Sequence, residues 1–458
     1  MKRFILGLLI LMFSNTSKAT HLMGGQMTSR NIGGLTYEIT LTAYRDTTGI
    51  TMYPSTDFNF SDSGGTWTQT DHVAMNGPVS IGNGVEEYTY VDTITFPSSG
   101  NYSMWYEDCC RNCAILNIAN PCSYSFHLYN NLWVDSSNSS PVFLNGPITI
   151  AQNNVVFTYN PLPFDVDGDS ISWTIDVPVT SGGAPVAGYS LPSSDTSMPF
   201  AMDPSTGVIS FLPNAIGNYE VSVKVNEFRN GVQIGEIRRD MQIIVVNSLN
   251  VPVLVSSSSN SSSPSTNQFN LTPGSQFTLT VAVLDQDYRM IAMRAFGEPF
   301  QLANNRALLS TTNSPGFLTG TVQWSPDASQ VRSAPYIMAL RVVEPYAPYT
   351  FSNDLTFELR LNHVTGIPVI KNTVIRNVFP NPNNGSFTLE IHSILRNKGD
   401  VVIINMLGQQ VHSIRNILLH EGVNAILLNN SSLSEGHYVV RLVSEGKTIA
   451  TKNFEIIH

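Results

Sequence analysis

Charge is what this chain has least of. Asp, Glu, Lys and Arg make up 13% of its 458 residues, against 42% hydrophobic. The balance is acidic, with 34 Asp and Glu against 24 Lys and Arg and a formal net charge of −10. A nucleic acid or an anionic membrane needs a basic surface to hold it, so both are argued against as partners. The surplus acid suits a solvated, exported protein. Long apolar runs are missing too. Phe4–Phe13 is the longest, well short of the roughly 20 residues a spanning helix needs, so no transmembrane segment is expected in the mature chain. Helical spacing is scarce, while Ser, Thr, Asn, Gly and aromatics are plentiful, the profile of an all-β, turn-rich protein.

Catalytic signatures are also absent. There is no Gly-x-Ser-x-Gly elbow, no His-Glu-x-x-His, and no glycine-rich loop running into Lys-Ser/Thr. Of nine histidines, only His21, His72, His127 and His363 precede the last 85 or so residues, and none has a recognisable partner motif. The expectation is that the chain is not an enzyme. Paired carboxylates on distant strands are the one catalytic arrangement a sequence hides, which keeps a hydrolase open as the alternative. Cysteine is sparse and concentrated at Cys109, Cys110, Cys113 and Cys122. An even count in an exported chain reads as two disulfides, with three connectivities. A bond between neighbours is strained, which favours Cys109 and Cys110 each pairing with Cys113 or Cys122. A zinc site is the rival, but only His127 lies near and the spacing is irregular.

What is present divides the chain. Met1-Lys2-Arg3, the apolar Phe4–Phe13 and the small residues around Ser17 and Ala19 read as a secretory signal peptide over 1–19. In 20–142, Leu35–Asp46, Glu87–Phe96, Gly100–Tyr106 and Tyr124–Trp133 alternate apolar and polar residues, predicting half-buried strands of a disulfide-bonded antiparallel β domain. His21-Leu22-Met23-Gly24-Gly25, Tyr44-Arg45-Asp46 and Asp108-Cys109-Cys110-Arg111-Asn112 together resemble the N-terminal region of large Bacteroidetes surface proteins described as gliding-motility-associated or adhesin-like.

Two further modules follow, over 143–248 and 249–364. In the first, Val155–Tyr159 leads to Phe164-Asp165-Val166-Asp167-Gly168-Asp169, then a strand through Trp173, a hairpin at Met202–Phe211, Gly217–Val225 and Arg239–Val246. This order resembles cadherin-like and Ig-like bacterial modules and implies a β-sandwich. Phe277–Leu284 with Asp285-Gln286-Asp287, Val322–Pro326 and Tyr336–Val343 repeat it at an offset of roughly 115–120 residues. Ser256–Ser265 reads as a mobile segment. Asp165, Asp167 and Asp169 alternate along a turn, with Asp203 on the next hairpin within reach. Such carboxylates suit calcium, which takes six to eight oxygens, and a solvated Asx turn is the plainer alternative. In the second module only Asp285 and Asp287 remain. Trp67, Trp105, Trp133, Trp173 and Trp324 are candidate sugar platforms, with Trp173 and Trp324 in strand patterns that favour the core.

After a linker over 365–373, residues 374–458 carry short strand patterns at Ser386–Ile391, Asp400–Asn405, Gln410–Ile414, Ala425–Leu428, His437–Val443 and Thr448–Ile456. Pro380-Asn381-Pro382 with Gly385, Leu407-Gly408-Gln409, Gly422 and Asn424, Gly436 and Tyr438, and Lys447 fall in an order that resembles the type A C-terminal sorting domain of the type IX (Por) secretion system. The resemblance implies export across the outer membrane through that machinery, with the domain cleaved as cargo is attached or released. The expected architecture is all-β: a chain of antiparallel Ig-like or cadherin-like sandwiches ending in a small sandwich. The expected function is adhesin-like binding of a surface glycan or protein, or a structural role as a stalk. The alternative is a polysaccharide-binding accessory protein or hydrolase.

Overall fold

The computed structural model describes residues 22–265, 267–361, 373–393, 396–444 and 446–458. The expected signal peptide, most of the 365–373 linker, His21 and His363 lie outside the described residues. The chain forms two compact units, Met1–Asn362 and His363–His458. Both are all-β: among the described residues the only helices are three-residue 3-10 turns. No helix among them is long and apolar enough to cross a membrane.

Alternation builds the N-terminal sheet. In Thr36–Asp46 the side chains of Tyr37, Ile39, Leu41 and Ala43 point inward and are fully buried, as a period of two requires. In space the strands run Leu22–Gly33, Thr36–Asp46, Val85–Thr95, Thr68–Gly82, Ser55–Asp62, Gly100–Asp108 and Phe126–Val134. The next strand in the sheet is Val232–Val246, from the following module. It pairs with Phe126–Val134 through Gly235–Ile237 and with Leu22–Gly33 through Arg239–Met241. One borrowed strand thus joins the two ends of the N-terminal sheet. Gly24 permits the junction: its φ is +142°, and a Cβ there would collide with the Asp240 backbone.

The expected boundary at 142/143 separates two cores but not two sheets. The residues around Phe58, Tyr90 and Met104 form one apolar cluster, and those around Tyr159, Phe211 and Val223 another. Yet Val232–Val246 also pairs along Gly217–Arg229, so hydrogen bonding runs unbroken across the boundary. The segment after Asp108 strengthens the join. Arg111, fully buried, donates to Glu220 Oε1 and Asp240 Oδ2, each at 2.8 Å, and to Val179 O at 2.7 Å. Asn117 exchanges hydrogen bonds with the Glu220 backbone.

The next module packs two sheets over a core containing Phe277, Val281, Trp324 and Leu340. The serine-rich run expected to be mobile is instead partly a strand, Leu254–Ser259, paired with Leu279–Leu284. Backbone groups make that ladder whatever the side chains are, and small polar residues suit an exposed edge. The second unit is a small sandwich of its own. Thr373–Phe379, Ser386–Ser393 and Gly422–Asn429 form one sheet; Gln410–Leu419, Asn397–Asn405, Gly436–Ser444 and Lys447–Ile456 form the other. Phe387, Leu389, Val401, Ile403 and Phe454 fill the space between.

Candidate functional sites

The outward face of the N-terminal sheet carries a cross-strand ladder. Tyr102, Met104 and Tyr106 take the inner face, so Ser103, Trp105 and Glu107 take the outer one. Register sets Asn101 opposite Trp133, Ser103 opposite Asn131, Trp105 opposite Tyr129 and Glu107 opposite His127. A hollow of about 670 Å³ opens there, walled by Trp105, Glu107, His127, Tyr129 and Gly182–Gly183. A second, about 360 Å³, shares Ser103 and Asn131 with it. Among the described residues neither hollow is lined by Lys or Arg. Glu107 Oε1 lies 2.7 Å from His127 Nδ1 and accepts from Gly182 N at 2.8 Å. Burial pushes the Glu107 carboxyl up, but the Gly182 N–H and His127 outweigh it and hold the group below its usual range. Tyr129 donates to Glu236 and accepts from Arg238 Nε at 3.3 Å, which fixes its ring.

The other tryptophans are placed differently. Trp324 is core, its Nε1 bonded to Asn305 O at 2.7 Å. Trp67 packs edge-on against Phe96 and Tyr102. Trp173 is partly buried against its module's core. Trp133 is 39% exposed. His72, the other described candidate histidine of the N-terminal domain, pairs with Asp57 in the open.

The acidic turn brings together a different set from the one expected. Asp165 Oδ1 accepts from Asp167 N at 3.0 Å and Asp169 N at 2.9 Å, which shapes the loop. Carboxylate oxygens of Asp165, Asp169 and Glu227 lie within 4.8 Å of one another. Asp203 is elsewhere: its Oδ1 accepts from Ser205 N and Thr206 N and closes its own turn. Asp167 faces the segment that follows Phe126–Val134 and accepts from Ser139 N. Glu227 was not read from the sequence, because a lone Glu near a strand end looks solvated. It is fully buried, and both of its carboxylate oxygens lack a hydrogen-bond partner, as does Asp165 Oδ2. Burial, with the neighbouring acids, pushes Glu227 up to about 9 and Asp165 up to about 6. Arg229 holds Asp169, with Nε 2.9 Å from Oδ1, and also pairs with Asp135 at 3.2 Å.

The cysteines pair as Cys109–Cys110 and Cys113–Cys122. This corrects the expected partners. Cys109 and Cys110, adjacent in the chain with Cα atoms 3.1 Å apart, are joined to each other, and Cys122 is joined to Cys113.

In the second unit the motif residues build turns. Asn383 N donates to Glu455 O at 3.0 Å and Ile457 N to Asn383 O at 2.8 Å, so the Pro380-Asn381-Pro382 entry is tied to the last strand. Glu455 N donates to Asn381 Oδ1 at 2.7 Å. Gly385 has φ +91°, and a Cβ there would lie 2.6 Å from Asn430 O. Asn405 Oδ1 accepts from Leu407 N and Gln409 N, each at 3.0 Å, with Gly408 at φ +80° between them. Asn424 Oδ1 accepts from His420 N at 2.8 Å just before Gly422 starts its strand. Gly436 opens the strand of Tyr438, whose hydroxyl donates to Ser434 O at 2.7 Å, and Lys447 opens the last strand.

Residues 377–456 match the family described as secretion system C-terminal sorting domain. The chain ends in a type IX secretion sorting domain. It is exported across the outer membrane to the cell surface or the extracellular space, and the sorting domain engages the type IX machinery. No curated protein matches the chain. Among solved structures, a DUF4785 family protein of Legionella pneumophila is 13% identical, with 67% of this chain and 82% of that one covered and a TM-score of 0.23. Drosophila N-cadherin EC1-4 is 13% identical over 89% and 94%, with a TM-score of 0.18. The surface layer protein SbsC, domains 4-9, is 13% identical over 63% and 47%, with a TM-score of 0.16. Superpositions this loose carry no argument about what the chain does.

Proposed function

We propose that the exported chain is an adhesin-like binding protein that holds a neutral polysaccharide on the outward face around Trp105 and Tyr129. The observation behind this reading is the ladder itself. Trp105, partly exposed, sits opposite Tyr129, which is 9% exposed and backs it, flanked by Asn131, Ser103, Glu107 and His127. Aromatic faces give a sugar ring large contact at small entropic cost, and a few placed polar groups fix its orientation. With carboxylates on the face and no Lys or Arg lining it among the described residues, an anionic glycan is repelled and a neutral one is not.

The test is retention of the purified chain on neutral and acidic polysaccharides. Neutral material should retain the chain saturably, without releasing soluble sugar. Losing a central aromatic anchor costs about 2 kcal/mol, so Trp105→Ala should weaken binding roughly thirty-fold. Equal retention of the Trp105→Ala chain would sink the assignment of this face. Sugar release that Glu107→Gln abolishes would replace binding with hydrolysis, the secreted-hydrolase alternative.

We also infer that the Asp165–Asp169 loop takes calcium with Glu227 in the module 143–248. The buried oxygens without partners support this reading, since a bare carboxylate out of water is costly and a hard cation removes that cost.

A further inference from the structure

Trp133 is the most exposed of the five tryptophans, at 39%. Its neighbours Leu132 and Val134 are buried, so alternation turns the Trp133 side chain to the outward face that carries Trp105. Asn138 Nδ2 donates to Trp133 O at 3.0 Å and Asn101 lies opposite, which fixes the strand at that point. Among the described residues no aromatic ring packs on Trp105 or Trp133, whereas Trp67 and Trp324 meet other rings edge-on. Neither indole N–H of the pair finds an acceptor among them, although those of Trp173 and Trp324 do. Both tryptophans therefore keep an unused donor on a ring that a ligand can reach.

Register fixes how far apart the two indoles stand. Trp105 is opposite Tyr129, and Trp133 lies four residues further along the strand of Tyr129. At 3.2–3.4 Å per residue that is about 13 Å, with one strand spacing of about 4.8 Å to the side. A single sugar ring cannot reach both. Between them lies the rung of Ser103 and Asn131, which belongs to both hollows and makes them one trough.

The trough changes character along its length. At the Trp105 end it is walled by Glu107, His127 and Gly182–Gly183. Toward Trp133 it is lined by small polar groups, among them Ser103, Asn131 and Asn101. The side chains of these three make no hydrogen bond to other described residues. A hydroxyl and two amides offer both donors and acceptors, the mixture that sugar hydroxyls match. Glu236, the carboxylate on this stretch, already accepts from the Tyr129 hydroxyl.

We propose that Trp133 is a second stacking platform of the polysaccharide site, and that the site takes an extended neutral chain laid from Trp105 to Trp133. The inference rests on the polysaccharide reading and names its substrate class: a chain of several sugars, in preference to a single sugar or a disaccharide. A short sugar seats in the walled hollow at Trp105. A longer chain seated there meets Trp133 intramolecularly, at high effective concentration, so affinity depends on length. Ser103, Asn131 and Asn101 bond the units between the two rings.

Calorimetric titration of the full chain with cello-, xylo- and N-acetylated chito-oligosaccharides, each as dimer and hexamer, is the test. An aromatic anchor contributes about thirty-fold in affinity, so the hexamer of a series that binds should exceed its dimer by about that factor. Trp133→Ala should erase the difference and leave the dimer unchanged. Trp133→Phe should restore most of it, because a phenyl ring still stacks. Trp105→Ala should weaken dimer and hexamer alike. Trp133 is exposed, so Trp133→Ala should keep the wild-type denaturant midpoint, which separates loss of a platform from loss of the fold. Dimer and hexamer bound equally by the wild type, or a length step that survives Trp133→Ala, overturns the proposal and leaves the Trp105 site standing. Equal weakening of dimer and hexamer in Trp133→Ala also overturns it, since Trp133 would then only support the hollow. A wild type that binds none of the sugars, or Trp105→Ala without effect, brings down the polysaccharide reading and this inference with it.

Discussion

Arg111 lies between the N-terminal sheet and the following module, and its partners Glu220 and Asp240 are buried as completely as it is. Its guanidinium also covers the Phe126 ring at 4.2 Å. Burial drives the Glu220 carboxyl far up, and Arg111, helped by the Gln242 side chain, opposes this. Removing the cation leaves two acids uncompensated in a dry interior. Arg111→Ala should therefore cost about 3–5 kcal/mol, read as a lower denaturant midpoint for the first unit. Arg111→Lys should recover only part of it, because an ammonium cannot fork to two carboxylates and the Val179 carbonyl. A midpoint unchanged in Arg111→Ala would remove this joint from the account. The sequence displayed Asp108–Asn112 as a motif but not its role, since neither partner is near it in the chain.

At the scale of strands and loops, legibility followed burial on one face. Thr36–Asp46 and Phe277–Leu284 alternate because one side meets the core and the other meets water. Val232–Val246 was legible only from Arg239 onward, because its middle is buried on both faces. Arg238, Arg239, Asp240 and Gln242 are all 4% exposed or less, yet read as surface residues. The partners of such a strand are set by long-range pairing, which no local period encodes. The acidic loop was half legible: the aspartates announce the turn, whereas Glu227 arrives from a hairpin about 60 residues later. The available clue was a matching glutamate, Glu344, third from the end of Tyr336–Tyr346 as Glu227 is of Gly217–Arg229. The loop itself yields a prediction. Asn at position 165 keeps the Oδ1 acceptor that shapes the turn but gives up the charge. Calcium should raise the melting temperature of the chain, and Asp165→Asn should abolish the rise. An identical melt with calcium and with chelator before Asp165 is changed would end the calcium reading of this loop.

On the scale of the whole molecule, the two units have separate tasks and separate cores. Among the described residues, the residues around Phe387, Val401 and Phe454 form the core of the second unit, and the core clusters of the first unit are made of residues from Leu22 to Leu361. The second unit was readable because its motif residues are turn-makers whose identities the backbone dictates: Gly385 where a Cβ would strike Asn430, and Asn405 and Asn424 where a side chain must cap a bend. What they build is an export address. Removing Val374–His458 should therefore separate export from folding. The truncated chain should retain its protease-resistant first unit, because the residues of that unit's core clusters all remain, yet accumulate in the periplasm instead of reaching the surface. Fractionation with surface protease treatment distinguishes the outcomes. Resistant protein confined to the periplasm supports an address and nothing more. Degraded protein would mean that the first unit needs the second in order to fold. Truncated protein displayed at the surface in normal amounts would mean that another part of the chain carries the export signal.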